Sequence, residues 1–189
     1  MSNCFRRAAI AVAAVISFAA PASAQQRPGL MGELAKDVND VQVKLVALAK
    51  AMPAEKYDWR PAPGVRSVSE VFLHLASDNY LLPSIVGFAA PAASGIKPTD
   101  FATLTTFEKQ KLSPDATVTA MNVSFAHLLK SMAETPDSRL DERTKFFGQD
   151  MSVRQVWVAT AAHLHEHLGQ SIAYARTNGV TPPWSQKSQ

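Results

Sequence analysis

The sequence predicts an all-α protein, a four-helix bundle preceded by a cleaved signal peptide. Three observations carry that expectation. Four segments of roughly 20 residues place apolar side chains at alternating spacings of three and four. Connectors of about ten residues or more separate them, and no segment alternates with the period of two that marks a strand. A chain of 189 residues, 47% hydrophobic and 19% charged, is enough for one domain with a proper core and too apolar for a disordered chain.

The first 24 residues stand apart. Arg6 and Arg7 precede an unbroken small or apolar run from Ala8 to Ala20, then Pro21, then Ala22-Ser23-Ala24 before Gln25. This is the pattern of a secretory signal peptide, and the run is shorter than the ~20 residues a spanning helix needs. Cleavage after Ala24 divides the chain into a signal peptide, 1–24, and a single helical domain, 25–189. Of the 19 basic residues 17 then remain against 16 acidic ones, so the net charge falls from +3 to +1. The expected location is periplasmic or secreted, with no stable membrane insertion after processing. The sole cysteine, Cys4, leaves with the signal, which excludes a disulfide framework and a cysteine-rich zinc site. A net charge of +1 without a basic stripe excludes a nucleic-acid partner.

The first helix is expected from Leu30 to Met52. Leu34, Val38, Val41, Leu45, Leu48 and Met52 form its seam, and Pro53 ends it. Residues 53–66, with three prolines and the aromatics Tyr57 and Trp59, read as an ordered connector because large apolar groups seek burial. Ser67 and Glu70 form a capping box at the start of the second helix. Val71, Leu75, Leu82 and Ile85 supply its stripe, with His74 and Asp78 beside it, and Pro83 is expected to kink or shorten it. Residues 89–98 read as loop, and 99–111 as room for a short helical turn. Ser113-Pro114-Asp115 opens the third helix, which runs to about Glu134 with Val118, Met121, Phe125, Leu128 and Leu129 inward. A polar connector carrying Phe146, Phe147 and Gly148 follows. Ser152 and Gln155 form a second capping box, opening a fourth helix that ends near Thr177 at Asn178-Gly179.

Three of the five histidines, His163, His165 and His167, fall within five residues of this last helix. His163 and His167 differ by about 40° around the axis, so both imidazoles project from one face, one turn apart. That spacing lets both nitrogens reach one ion at ~2.0–2.1 Å. The pair alone also fits a solvated histidine-rich helix surface. His165 lies about 200° from His163 and cannot join it. His74, on a second amphipathic helix beside the apolar stripe, is placed to face the pair and complete a three-nitrogen site with open positions, although a lone histidine there also fits a satisfied core residue. His127 reads as structural or surface. Neutral imidazoles suit Zn²⁺, with Ni²⁺ and Fe²⁺ as alternatives.

Such a metal can lower the pKa of water to near 7 or hold a thiolate for attack. Hydrolysis wants a general base, for which Glu166, about 60° from His163, and Asp78, one turn past His74, are the candidates. Each also reads as an ordinary solvated carboxylate. Gln170 and Tyr174 are candidates for lining a pocket and contacting a bound cofactor, and Trp157 reads as packing.

The run Lys56-Tyr57-Asp58-Trp59-Arg60-Pro61-Ala62-Pro63-Gly64-Val65-Arg66-Ser67-Val68 leading to His74 carries a further signal. With it go His163-x3-His167-x-Gly169-Gln170 and Tyr174-x-Arg176-x-Asn178-Gly179-Val180-x-Pro182-Pro183. In these residues the chain resembles the DinB-like (DinB/YfiT) family of metal-dependent four-helix bundles. The resemblance spans nearly all of the expected mature chain. It implies that His74, His163 and His167 match the family's metal ligands, that the helices follow an up-down-down-up order, and that the protein is a homodimer. It also brings in thiol-dependent S-transferases, which here would need an external thiol. Many members carry arginine after the last ligand; Leu168 stands there, which puts an anionic substrate in doubt. The expected function is therefore a metal-dependent hydrolase or thiol S-transferase of unknown small-molecule substrate. The alternative is a non-catalytic bundle that binds metal or a ligand and is linked to stress response.

Overall fold

The computed structural model describes residues 29–186. The expected signal peptide, and Cys4 within it, lies outside the described residues. Helices α1 (Leu30–Ala51), α2 (Val68–Ile85), α3 (Phe101–Glu108), α4 (Pro114–Glu134) and α5 (Val153–Thr177) account for most of the described residues. Strands β1 (Arg143–Phe146) and β2 (Gln149–Ser152) lie between α4 and α5.

The long helices begin where local chemistry satisfies their free N–H groups. The Ser67 and Ser152 side chains accept from the backbones of Glu70 and Gln155, whose own side chains reach back to the caps. Ser113 caps α4 ahead of Pro114. Asn178 closes α5, and Gly179 follows with φ +76°, a left-handed conformation that glycine adopts without penalty. Pro83 lies inside α2, yet the helix runs two residues past it. The proline removes one hydrogen bond in the last turn, where little helix remains to be disrupted.

The four long helices share one core. α1 packs on α4 and α5; α2 packs on the same two and carries α3 on its outer side. The Arg66 carbonyl meets Tyr174 while Asp78 meets His163, so α2 and α5 run antiparallel. Asp58, ahead of α2, pairs with Lys111, ahead of α4, and further along Asn79 bonds Ser124, so those two helices run parallel. Trp157, Phe72, Phe125, Leu45, Leu75 and Met121 are essentially fully buried between them. Each contributes roughly 1.5–3 kcal/mol of burial. No described helix is long and apolar enough to cross a membrane.

One connector is ordered as expected, and another holds an unexpected hairpin. In residues 53–66, Tyr57 donates to the Ala49 carbonyl at 2.7 Å, and Trp59 meets Tyr174 edge-on at 5.3 Å. The expectation of no strand is corrected by the β1–β2 hairpin, which pairs Arg143 with Ser152 through Phe146 with Gln149. Four-residue strands are too short to display alternation in a sequence. The hairpin is held by its two-residue turn at Phe147-Gly148, by the Lys145–Asp150 ion pair at 2.8 Å, and by Thr144 donating to the Ile85 carbonyl at 2.8 Å.

Candidate metal centre

His74 comes from the middle of α2, and His163 and His167 from successive turns of α5. Each offers one ring nitrogen to a group whose atoms all lie within 4.8 Å of one another. Ring centroids are separated by 5.4 Å (His74–His163), 4.8 Å (His74–His167) and 4.5 Å (His163–His167). The apolar stripes of α2 and α5 bury on either side and set this approach. His165 turns away, as its helical angle requires, and pairs with Asp37 at 2.9 Å. His127 packs its ring tilted against Tyr80 at 5.5 Å and is not part of the cluster.

The partners of each imidazole determine which nitrogen it presents. Tyr174 donates to the Arg66 carbonyl at 3.1 Å, so its oxygen accepts from the Gln170 amide nitrogen at 3.0 Å. The Gln170 amide oxygen then faces His167 Nδ1 at 2.7 Å. That nitrogen must carry a proton, which leaves the lone pair on Nε2. Burial holds the His167 imidazole well below its ordinary value, at about 4, so it is neutral at pH 7.

His74 lies between two carboxylates, with Nδ1 3.3 Å from Glu108 and Nε2 3.3 Å from Asp78. The same Asp78 oxygen, Oδ2, is 2.9 Å from His163 Nε2. Burial alone would raise the Glu108 carboxyl, but hydrogen bonds from His74 and Arg66 outweigh it and bring it down to about 2. Arg66 Nε donates to Glu108 at 2.7 Å.

These residues fit a divalent cation. With Nδ1–H of His74 directed at Glu108 and Nδ1–H of His167 at Gln170, both Nε2 atoms present lone pairs, in the orientation carboxylate–histidine–metal triads adopt. The Asp78 oxygen would repel bare lone pairs on two Nε2 atoms, so a proton or a cation must lie among them. His74, His163 and His167 would hold the ion, and Asp78 Oδ2 lies beside it.

The cluster opens into a cavity of about 620 Å³, lined on one side by His74, His163, Asp78, Glu108, Arg66 and Glu166. This volume falls in the range of small-molecule sites, ~300–1,000 Å³. Of the two candidate bases, Asp78 touches two of the histidines, whereas Glu166 lies on the cavity wall. Gln170 and Tyr174 form the hydrogen-bond chain behind His167 and are not among the cavity's lining residues. Leu168 is buried in the core at 6% exposure. Trp157 is also buried, against Phe88. Sequence reasoning gave no role to Glu108 or to the aromatic wall made by Phe101, Phe146 and Phe147. Neither leaves a local signal, because both sets reach the site only through the docking of α3 and the hairpin.

The family model of the DinB superfamily matches residues 38–171. No curated protein matches the chain. Among solved structures, a DinB-like protein from Bacillus cereus superposes with a TM-score of 0.66 at 17% identity, covering 82% of this chain and 95% of that one. YfiT from Bacillus subtilis, described as a probable metal-dependent hydrolase with an unusual four-helix bundle topology, gives 0.62 at 15% identity, over 83% and 94%. A mycothiol-dependent maleylpyruvate isomerase gives 0.59 at 14% identity, over 74% of this chain and 59% of that protein. At such identities the likeness is one of fold.

Proposed function

The chain belongs to the DinB superfamily, and from that premise we propose that it is an exported, metal-dependent hydrolase of a small molecule. Its ion, Zn²⁺ first and Ni²⁺ or Fe²⁺ next, would be held by His74, His163 and His167. The observation that carries the reading is the Asp78 carboxylate, whose Oδ2 lies 2.9 Å from His163 and 3.3 Å from His74 at the foot of the cavity. A bound divalent ion supplies Lewis acidity and makes water a nucleophile near neutral pH. Asp78 Oδ2 receives a proton from water as the water oxygen bonds to the substrate's carbonyl carbon. The same oxygen returns that proton to the leaving group as the acyl bond breaks. Glu108 and Gln170 hold the imidazoles in register through Nδ1. The name of the related YfiT protein, a probable metal-dependent hydrolase, agrees with this reading.

The proposal includes the up-down-down-up helix order, a homodimer, and a periplasmic or secreted location. These rest on the family resemblance and on the pattern of residues 1–24. The test is elemental analysis of the protein purified from its native compartment, beside a His74/His163/His167→Ala triple variant. One divalent ion per chain is expected, lost in the variant; metal retained unchanged in the variant would overturn the site. An esterase and amidase panel run with and without added thiol then separates hydrolysis from thiol transfer. Asp78→Asn should retain the ion and lose turnover by about 10²–10⁴-fold, the contribution of a positioned base.

A further inference from the structure

Besides its polar residues, the cavity is lined by three phenylalanines. Phe101 opens α3, and Phe146 and Phe147 form the tip of the hairpin. Their rings meet in sequence, Phe101 to Phe147 at 5.9 Å and Phe147 to Phe146 at 4.7 Å. Phe101 and Phe147 are 55% and 61% exposed, among the most exposed large apolar side chains of the described residues. Phe147 is also the one described non-glycine residue with positive φ, +48°, and Gly148 follows at +83°. Together they form the two-residue hairpin turn in which Asn-Gly is the favoured pair. A phenylalanine in the left-handed region is strained, and such strain gathers at functional sites. Here the strained residue is a large apolar one that both lines the cavity and is 61% exposed to solvent.

The polar wall has a second property. Its charged residues are Asp78, Glu108 and Glu166 against Arg66. Three negative charges and one positive leave a deficit that a single divalent ion cancels. The loaded site is therefore close to neutral, and Arg66 is already engaged with Glu108 at 2.7 Å. Neither an anionic nor a cationic guest gains from it.

Building on the hydrolase reading above, we infer that the substrate class is an uncharged ester or amide with a flat aromatic group, which Phe101 and Phe147 grip at the cavity mouth. The aromatic body lies against these rings, and the carbonyl points toward Asp78 and the histidines. Selectivity comes from the apolar contact and from the absence of net charge.

The test measures binding of neutral naphthol and of the naphthalenesulfonate anion, by their own fluorescence, to the zinc-loaded and the metal-free full chain. Naphthol should bind both forms, and the sulfonate at least ten-fold more weakly. Phe147→Asn and Phe101→Ala should each weaken naphthol by about ten-fold, as loss of an aromatic contact does. Phe147→Asn should at the same time raise the thermal midpoint by roughly 2–4 °C, because it restores the preferred turn pair. A residue with only a structural role would not give stability and binding changes of opposite sign. The inference is overturned if the sulfonate binds as tightly as naphthol, or if Phe147→Asn binds naphthol like the parent. Phenylalanine-dependent binding in a protein that takes up no Zn²⁺, Ni²⁺ or Fe²⁺ supports the uncharged aromatic guest and removes the hydrolase reading, and with it the ester or amide. Stoichiometric zinc without phenylalanine-dependent binding does the reverse.

Discussion

His167 joins the histidine cluster with its tautomer fixed by a chain that ends on a backbone carbonyl. Arg66 O accepts from Tyr174, Tyr174 from Gln170, and Gln170 from His167. A carbonyl can only accept, so every link has one direction and Nε2 is left for the ion. Tyr174→Phe removes the middle link and frees the Gln170 amide to rotate. The expected outcome is about a ten-fold loss of zinc affinity, the low end of what outer partners contribute, measured by competition with a chromophoric chelator. Gln170→Glu, which can only accept, should restore most of that loss in the Tyr174→Phe background. Equal affinities in all three proteins would remove the chain's role. The three candidate ligands were legible in part: helical spacing put His163 and His167 on one face, His74 sat beside an apolar stripe, and the resemblance to the DinB-like family joined them. Asp78 was legible for the same reason, one turn from His74. Glu108 was not, since its contact with His74 spans 34 positions and depends on how an eight-residue helix docks.

At the scale of elements, helices declared themselves and the hairpin did not. Capping boxes at Ser67 and Ser152 and the Ser113-Pro114 start are chemical signals confined to four residues, so their boundaries could be read directly. The strands Arg143–Phe146 and Gln149–Ser152 contain only one or two inward side chains each, and the turn between them begins with a residue that turn preferences disfavour. The connector before α2 was legible as ordered but not in its attachment. Tyr57 anchors it, with burial pushing the hydroxyl up to about 12. The folded-state value lies above the ordinary value near 10, so this contribution is whole below pH 10 and is lost as pH rises through 12. Between pH 8 and 11 the parent should lose about 1.4 kcal/mol through this group. Tyr57→Phe should lack that part of the alkaline decline while starting lower by roughly 1 kcal/mol for the lost hydrogen bond to Ala49. Urea midpoints at the two pH values decide it: parallel declines in the two proteins would show that Tyr57 does not titrate with unfolding.

For the whole molecule, the candidate centre joins parts that are distant in sequence. Its ligands come from α2 and α5, which run antiparallel, and its outer partners from α3 and the connector before α2. The core beneath is held by apolar packing among α1, α2, α4 and α5, so the histidine variant is expected to remain folded. The ion should add to this stability by mass action, because an unfolded chain cannot keep residues 74, 163 and 167 together. At zinc one hundred-fold above its dissociation constant the gain is about 2.7 kcal/mol. For a domain near 150 residues that raises the thermal midpoint by roughly 5–10 °C. The gain should shrink as pH falls below the ordinary histidine range, since protons then compete for the same lone pairs. Calorimetry with and without zinc at pH 7.5 and 5.5, on the parent and the triple alanine variant, measures all of this. A zinc-dependent shift of equal size in the variant would place the ion elsewhere in the molecule, whereas a shift confined to the parent and diminished at pH 5.5 assigns it to the imidazoles that link α2 to α5.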